Sequence, residues 1–496
     1  MSSERAPTGR PAALVLPSQD GCYYGGAWHA PLDAVKAPSS NPATGEVLAQ
    51  VAVAGAEDAA AAIRAAQRGH EHWRDVAPLE RARLMREVAA VIRAHAGELA
   101  LLDSADGGNP VSEMTSDALA GARAWEFFAG LVTEMKGDSI PMGPDAVNFT
   151  VREPRGVVAR IVAFNHPLMF AAVKAAAPIA AGNAVIMKPP EQAPLSTLRL
   201  AELLHGLLPA GVFNVLTGGR EVGAALATHR DVAMVTLIGS VPTGRAVMQA
   251  ASATLKPVLL ELGGKNALIA CADADPDEVA AAVIAGMNFT WCGQSCGSTS
   301  RAFLHASIHD AVLERVRQRI ARYRPGLPTD PATTMGALIS RAQYDRVLQY
   351  IEVARKEGAR LVCGGAPPGD PALACGFFIE PTVFADVTAD MRIANEEVFG
   401  PVLSVLRWDD WTRMVEAVNA VEYGLTCAIW TRDISLAHRT AARVQAGFVW
   451  INEVGKHFLG TPFGGYKQSG IGREECLAEL LAFTQEKNIH IRLRKA

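Results

Sequence analysis

The sequence has no surplus of either charge: 47 Lys and Arg stand against 51 Asp and Glu, leaving a net charge of −4. A chain so balanced has no global field to draw in a phosphate backbone, and nucleic acid is not expected as a partner. It also lacks a long apolar run. The most apolar stretch, Ala171 to Met187, is interrupted by Lys174, Pro178, Gly182 and Asn183, short of the roughly 18 to 20 uninterrupted residues of a membrane span. A buried helix followed by a strand is expected there, and no membrane partner. Cysteine is scarce, eight residues without paired CxxC clusters, which excludes a disulfide scaffold and indicates free thiols in a reducing, cytoplasmic setting. No GxGxxG follows a strand, and the nearest glycine cluster, GGREVG at 218–223, lacks the Lys-Ser/Thr of a phosphate loop, so neither common nucleotide fingerprint is present. Met1 to Gln19 mixes Glu4, Arg5 and Arg10 with Pro and Ser and has no apolar core for a signal peptide. A loose tail is expected.

What the chain does have is length and apolar content. Its 496 residues, 49% hydrophobic and 20% charged, suffice for a large core, and the length suggests roughly three folding units. Helical periods run through Glu57 to Trp73 and Pro78 to His95, whereas VNFTVREPRGV at 147–157 alternates β-branched and polar residues like a solvent-facing ribbon. From Val157 short apolar runs alternate with helical segments: Val157 to Ala163, Ala171 to Ala181, Ala184 to Met187, Leu198 to Leu208, Phe213 to Leu216, Val222 to Thr228 and Met234 to Ile238. The alternation resumes with Ala267 to Ala270, Pro276 to Met287, Ala302 to Leu304, Ile308 to Tyr323, Ile379 to Phe384, Val402 to Trp408 and Ala428 to Thr431. Continuous apolar strands separated by helices predict parallel sheets covered on both faces. The tail, Thr484 to Leu493, alternates again and predicts a second extended ribbon.

Several segments carry chemistry. In WCGQSCGSTSR, 291–301, Cys296 sits among small polar residues beside Gly293 and Gly297, where the backbone turns tightly and a ligand can approach the thiol. A cysteine can equally be a small buried hydrophobe, and Cys292 with Cys296 could be half a metal site, but no second ligand pair lies nearby and no metal is expected. In LLELGGKNA, 259–267, Glu261 precedes a Gly-Gly hinge among apolar residues, so partial desolvation would raise its pKa toward that of a general base; a strand-ending Glu can also simply cap the next helix. In IVAFNHPLM, 161–169, Asn165 ends a strand where ligands bind parallel sheets and where an amide can donate to an oxyanion, or can cap a helix. Lys188 and Glu191 follow another strand end and suit a ribose or a solvated loop. Gly239 and Ser240, between strand and helix, suit a phosphate.

The order and spacing of Asn165, Lys188 with Glu191, Gly239-Ser240, Glu261 and Cys296, followed by EEVFGPV (396–402) and PFGGYKQSGIGRE (462–474), resemble the aldehyde dehydrogenase superfamily from about Tyr23 to Leu493. The resemblance implies an α/β, aldehyde dehydrogenase-like fold with a Rossmann-like NAD-binding domain (20–137 and 159–264), a catalytic α/β domain (265–463) and a small β oligomerisation ribbon (138–158 and 478–496). It implies an oxidation of aldehyde to carboxylic acid, with Cys296 as nucleophile, Asn165 and the Cys296 N–H as oxyanion hole, and Glu261 as the base that activates water. Lys174 and Glu474 match positions of proton relay or support. Lys188 and Glu191 would hold the adenosine ribose, Ser240 the pyrophosphate, Glu397 the nicotinamide ribose, and Phe399 would pack near the nicotinamide; Phe164, Gly218 and Gly239 also match cofactor-side positions. A Glu at 191 repels a 2′-phosphate and favours NAD over NADP.

By position, the aldehyde channel would be lined by His166, Phe170, Val173, Thr290, Trp291, His457 and Phe463. Two histidines among aromatic groups suit an aromatic aldehyde with a hydroxyl or carboxylate better than a long alkyl chain, unless both turn away to bond the backbone. A betaine-type aldehyde or a semialdehyde is the alternative, and a cysteine esterase or an inactive structural relative is a remoter one. Ser298, Phe164, Trp291 and Cys292 depart from the usual pattern, and the spacing of Cys292 to Cys296 raises an inactivating disulfide. In this family the ribbon bridges subunits, so a homodimer or homotetramer is expected.

Overall fold

The computed structural model describes residues 13–493. Two large sheets organise the chain. The first has eight strands, five of them parallel and in the spatial order Phe213–Val215, Ala184–Lys188, Val157–Ile161, Met234–Ile238, Val258–Glu261. All five are almost wholly buried, as continuous apolar strands covered on both faces should be. The parallel run starts at the central strand Val157–Ile161 and goes out to each side in turn, so ligand space opens at the carboxyl ends around Ile161, Lys188 and Ile238, where the order reverses. The second sheet has seven strands, with Ala267–Ala270 and Arg301–His305 at its middle and Phe448–Ile451 at one edge.

Helices α1 (Ala56–Trp73), α2 (Pro78–Ala94), α3 (Ala96–Gly107), α4 (Val111–Gly130) and α5 (Pro167–Ala180) pack with the first sheet around Trp73, Trp125 and Phe128. The periodic pattern identifies α1 and α2 but passes over α3 and α4. Their buried faces carry Asp103, Asp106 and Asp117, which interrupt the apolar stripe that marks an amphipathic helix. Burial pushes Asp103 and Asp106 up to about 7, and Ser196 and Ser39 donate hydroxyls to them. Elsewhere the boundaries shift for local reasons. The strand expected from Ile379 begins at Thr382, because Pro381 has no N–H for a ladder. The helix expected from Ile308 to Tyr323 spans His309–Ile320.

The two ribbons meet each other. Ala146–Pro154 and Thr484–Arg492 pair antiparallel from Ala146↔Arg492 to Pro154↔Thr484, with Ser139–Ile140 on the far side. Leu477–Ala482, just before, is a short helix rather than ribbon. No helix among the described residues is long and apolar enough to cross a membrane. The expected loose tail lies largely outside the described residues.

Candidate active site

The hinge between the two sheets carries the reactive groups. The strand Val258–Glu261 of the first sheet ends at Glu261, and after five intervening residues Ala267 begins the second. The PFGGYKQSGIGRE segment returns here: Gly470 pairs with Glu261, Ser469 accepts from the Leu262 N–H at 2.9 Å, and its hydroxyl donates to the Gly263 carbonyl at 2.7 Å. The Glu261 main chain is thereby held on one side by Ser469 and Gly470 and on the other by the Gly239 N–H, which donates to its carbonyl at 3.0 Å.

Cys296 reaches the same point from the opposite direction. The helix Pro276–Met287 is stopped by Asn288 at φ 55°, a single 3-10 turn follows, and Cys292 at φ 54° and Gly293 at φ 66° fold the loop back. Asn266 clamps that loop, donating its amide to the carbonyls of Cys296 (2.6 Å) and Ser298 (3.0 Å) while accepting from the Thr426 N–H. A Cβ at Gly264 would stand 2.6 Å from the Cys296 carbonyl, so the second glycine of the hinge is what allows this approach. Asn266 is a residue that the sequence reading quoted without giving a role. Its signal, an amide directly after a Gly-Gly-Lys turn, is too common to stand alone.

The Cys296 thiol and the Glu261 carboxylate line the same cavity, and Glu261 Oε1 is buried there without a hydrogen-bond partner. Burial, and next the Glu474 charge, push Glu261 up to about 8. Burial and the facing Glu261 hold the Cys296 thiol well above its ordinary value. Behind them Glu474 binds Lys174 at 2.8 Å and Arg160 at 3.2 Å, and Arg160 continues to Glu479 at 2.8 Å, all buried. Burial alone would lower Lys174; the Glu474, Glu479 and Glu475 carboxylates together outweigh it and raise the amine. Lys174 and Glu474, 300 positions apart, thus form one ion pair beside Glu261.

Asn165 does not cap α5. The residue before the helix is His166, with no side-chain cap bond, and the buried Asn165 amide makes no hydrogen bond among the described residues. Its carbonyl accepts from the Asn109 amide at 2.9 Å.

A cavity of about 770 Å³ opens over Cys296 and Glu261. His166, Phe170, Val173, Trp291, His457 and Phe463 line it, with Lys174 and Glu474 at its inner end. Thr290 does not. Three residues complete a 3-10 turn, so Asn288 and Trp291 share the face toward the cavity and Thr290 turns away. Neither histidine bonds the backbone: His166 Nδ1 is 2.7 Å from Asp117, and His457 Nδ1 is 3.3 Å from Glu475. Cys292 points elsewhere. Its thiol donates to the Gly336 carbonyl at 3.0 Å inside an apolar cluster, is pushed up by burial, and does not line the cavity. The inactivating Cys292–Cys296 pairing suggested by their spacing therefore has no geometric support.

The positions expected on the cofactor side lie outside this cavity. Lys188 ends its strand without an ion pair, and burial pushes it down to about 8 against the pull of Glu191. The Glu191 carboxylate lies over Gly219, where a Cβ would come within 2.5 Å of it, and Gly218 turns at φ 137° beside Ala54. Ser240 caps the twelve-residue helix Val241–Ser252, accepting from the Thr243 N–H. Phe164 and Phe399 meet edge to face at 5.7 Å. Glu397 accepts from the Gly264 N–H at 2.8 Å, and burial raises it. An unpaired lysine, a glycine turn and a capped helix N-terminus at neighbouring strand ends suit a ribose and a phosphate. Lys265, within the hinge, is buried with no partner for its amine and is lowered to about 7 by burial and then by Arg301.

Comparison with known proteins agrees in extent and in kind. A family model described as "Aldehyde dehydrogenase family" matches residues 28–489. The aldehyde dehydrogenase tropH of Talaromyces stipitatus is 52% identical over 98% of this chain and 96% of its own length. The structure superposes with a TM-score of 0.94 and 37% identity on the indole-3-acetaldehyde dehydrogenase of P. syringae in complex with NAD+ and IAA, over 97% of each chain. It superposes with a TM-score of 0.93 and 37% identity on an NAD+ complex of aldehyde dehydrogenase from Bacillus cereus, over 96% of this chain and 97% of that one.

Proposed function

The chain belongs to the aldehyde dehydrogenase family, and we propose that it oxidises aromatic aldehydes with polar substituents to carboxylic acids with NAD+, through a covalent intermediate on Cys296. The observation that carries this reading is that the Cys296 thiol and a Glu261 carboxylate with an unpartnered oxygen line one aromatic cavity. Glu261 takes the thiol proton, and the sulfur attacks the aldehyde carbon to form a thiohemiacetal. The Cys296 N–H and the unengaged Asn165 amide receive the oxyanion. NAD+ supplies the acceptor for the two electrons and hydrogen that leave the substrate carbon, and Lys188, Glu191, Gly218, Gly239, Ser240, Glu397, Phe164 and Phe399 are the residues proposed to hold it. The thioester left on Cys296 is then open to water. Once Glu261 has released the thiol proton to solvent, its carboxylate removes a proton from that water, and the acid departs as the thiolate re-forms. Lys174 and Glu474 set the charge around Glu261 during both transfers.

The aromatic part rests on the walls. Phe170, Trp291, Phe463 and Phe458 line the cavity onto which the thiol opens, and flat apolar surfaces suit a ring. The indole-3-acetaldehyde dehydrogenase named above is an aromatic-aldehyde enzyme with the same fold. The domain division given by the resemblance, and assembly into a homodimer or homotetramer through the paired ribbons, belong to the same proposal. NADH formation with benzaldehydes, hexanal, a semialdehyde and betaine aldehyde tests the substrate class. Equal kcat/KM across the panel removes the aromatic reading, and robust turnover by Cys296→Ala removes the mechanism. Ester cleavage without NAD+ as the main activity would favour a cysteine esterase.

A further inference from the structure

Four carboxylates line the cavity; three are ion-paired, and the fourth, Glu261, is the proposed base and keeps Oε1 without a partner. Asp117 faces His166 at 2.7 Å, Glu474 faces Lys174 at 2.8 Å, and Glu475 faces His457 at 3.3 Å. Of the two basic side chains that line the cavity, Lys174 is committed to Glu474. The other, Arg123, makes no ion pair and no hydrogen bond among the described residues. Arg123 and Asp117 both belong to α4. Six residues at 1.5 Å each separate them by about 9 Å along the helix axis. The exposed Arg123 therefore marks the outer part of a wall whose deeper part is the His166–Asp117 pair.

That deeper part also offers donors. Burial disfavours charge on His166, but Asp117, and more weakly Asp103 and Glu113, hold its imidazole above the ordinary value. With Nδ1 engaged by Asp117, Nε2 is left as a donor without a protein partner. Trp291, its ring 5.4 Å from that of His166, has a buried indole N–H with no acceptor. Glu113 does not line the cavity, and burial raises its carboxyl toward the neutral form. Away from Glu261, the wall thus has one cation and two donors to spare, and its carboxylates are all ion-paired.

We infer that this α4 wall selects aldehydes carrying a carboxylate at the end remote from the aldehyde, with Arg123 as its counter-ion and His166 and Trp291 as specificity-determining donors along the approach. A guanidinium fork matches a carboxylate in shape as well as charge. The same unpaired cation opposes a quaternary ammonium, which separates this reading from the betaine alternative. The inference deepens the proposed activity and rests on it.

The test compares kcat/KM within two pairs, 4-carboxybenzaldehyde against benzaldehyde and 6-oxohexanoate against hexanal, in the wild type, Arg123→Gln and Arg123→Glu. The carboxylated member of each pair should be favoured about tenfold, chiefly through KM. That ratio should fall at least fivefold in Arg123→Gln, invert in Arg123→Glu, and shrink in 1 M salt, where charges are screened within about 3 Å. A wild-type ratio of one or less, or a ratio that Arg123→Gln leaves unchanged, overturns the inference. If neutral aldehydes turn over without a carboxylate preference, only the inference fails. If the aliphatic pair alone turns over, the aromatic reading fails and the anion preference is still read from that pair. Calorimetry with terephthalate and benzoate reads the same preference in binding without turnover, and equal affinities count against it.

Discussion

The side-chain amide of Asn109 donates to the main-chain oxygen of Asn165 at 2.9 Å, tying the turn after α3 to the turn before α5. Asn109 is itself buried, and its own carbonyl oxygen has no partner, so the bond to Asn165 is what its side chain contributes. Removing it frees the residue whose amide is proposed to meet the oxyanion, and misplacing such a donor costs rate more than substrate affinity. Asn109→Ala should lower kcat about tenfold, equivalent to about 1.4 kcal/mol of barrier, with KM changed less than about twofold. Steady-state kinetics on the folded variant checks this, and an unchanged kcat counts against a positioning role.

The height of the Glu261 pKa sets the pH profile. Burial and the Glu474 charge hold it at about 8, so below that value the base is mostly protonated and can accept neither the thiol proton nor one from water. The hydrolytic rate should therefore rise about tenfold per pH unit up to about 8 and then level. Glu474→Gln removes a neighbouring negative charge while leaving Lys174 and Arg160 in place, which stabilises the Glu261 carboxylate. The inflection should move to lower pH in that variant, and Glu261→Gln should abolish it. A profile in Glu474→Gln that is unmoved or shifted upward contradicts the assignment.

Much of the site was legible in the sequence because local punctuation marks it. Glu261 precedes two glycines, Cys296 lies between two more, and Asn165 follows a strand and precedes His-Pro. The structure brings Glu261 and Cys296 to one cavity, where Lys174 and Glu474 join them. What was not legible depends on distances that no local pattern carries. Asp117 and Arg123 sit mid-helix on α4 with no motif around them, and their role appears only where α4 crosses the cavity. Ser469 acts through its bonds to Leu262 and Gly263, across two hundred residues. Thr290 failed for a finer reason: a 3-10 turn rotates each residue by a third of a circle, and position in sequence does not reveal which third faces the substrate.

The two cysteines of the active-site loop should behave as chemically independent. Cys292 is buried, donates to Gly336 and sits in an apolar cluster, while Cys296 opens onto the cavity. In native enzyme, iodoacetamide should modify Cys296, with loss of activity, and leave Cys292 untouched, since only Cys296 faces the cavity through which the reagent arrives and Glu261 can take its proton. Peroxide treatment should give no Cys292–Cys296 bridge by peptide mass spectrometry. A bridge in the folded enzyme would show that the loop opens far enough to turn Cys292 out of its cluster.

Arg160 holds the charge balance beneath the site. It is fully buried, binds Glu474 and Glu479, donates to the Thr236 hydroxyl at 3.0 Å, and lies 4.7 Å from the centre of the Phe483 ring. With Lys174 it gives two cations against two carboxylates, so the cluster is neutral in full ionisation and costly in any part. Arg160→Met leaves Glu474 and Glu479 facing Lys174 alone, and breaking a buried pair in this way costs about 3–5 kcal/mol. A marked fall in unfolding free energy is expected at neutral pH. Arg160→Met with Glu479→Gln removes the excess charge as well and should recover part of that loss, because the remaining Lys174–Glu474 pair is again balanced. Chemical denaturation of the wild type, both single variants and the double variant measures the coupling. If the double variant is no more stable than Arg160→Met, the cost lies in lost packing against Phe483 rather than in uncompensated charge.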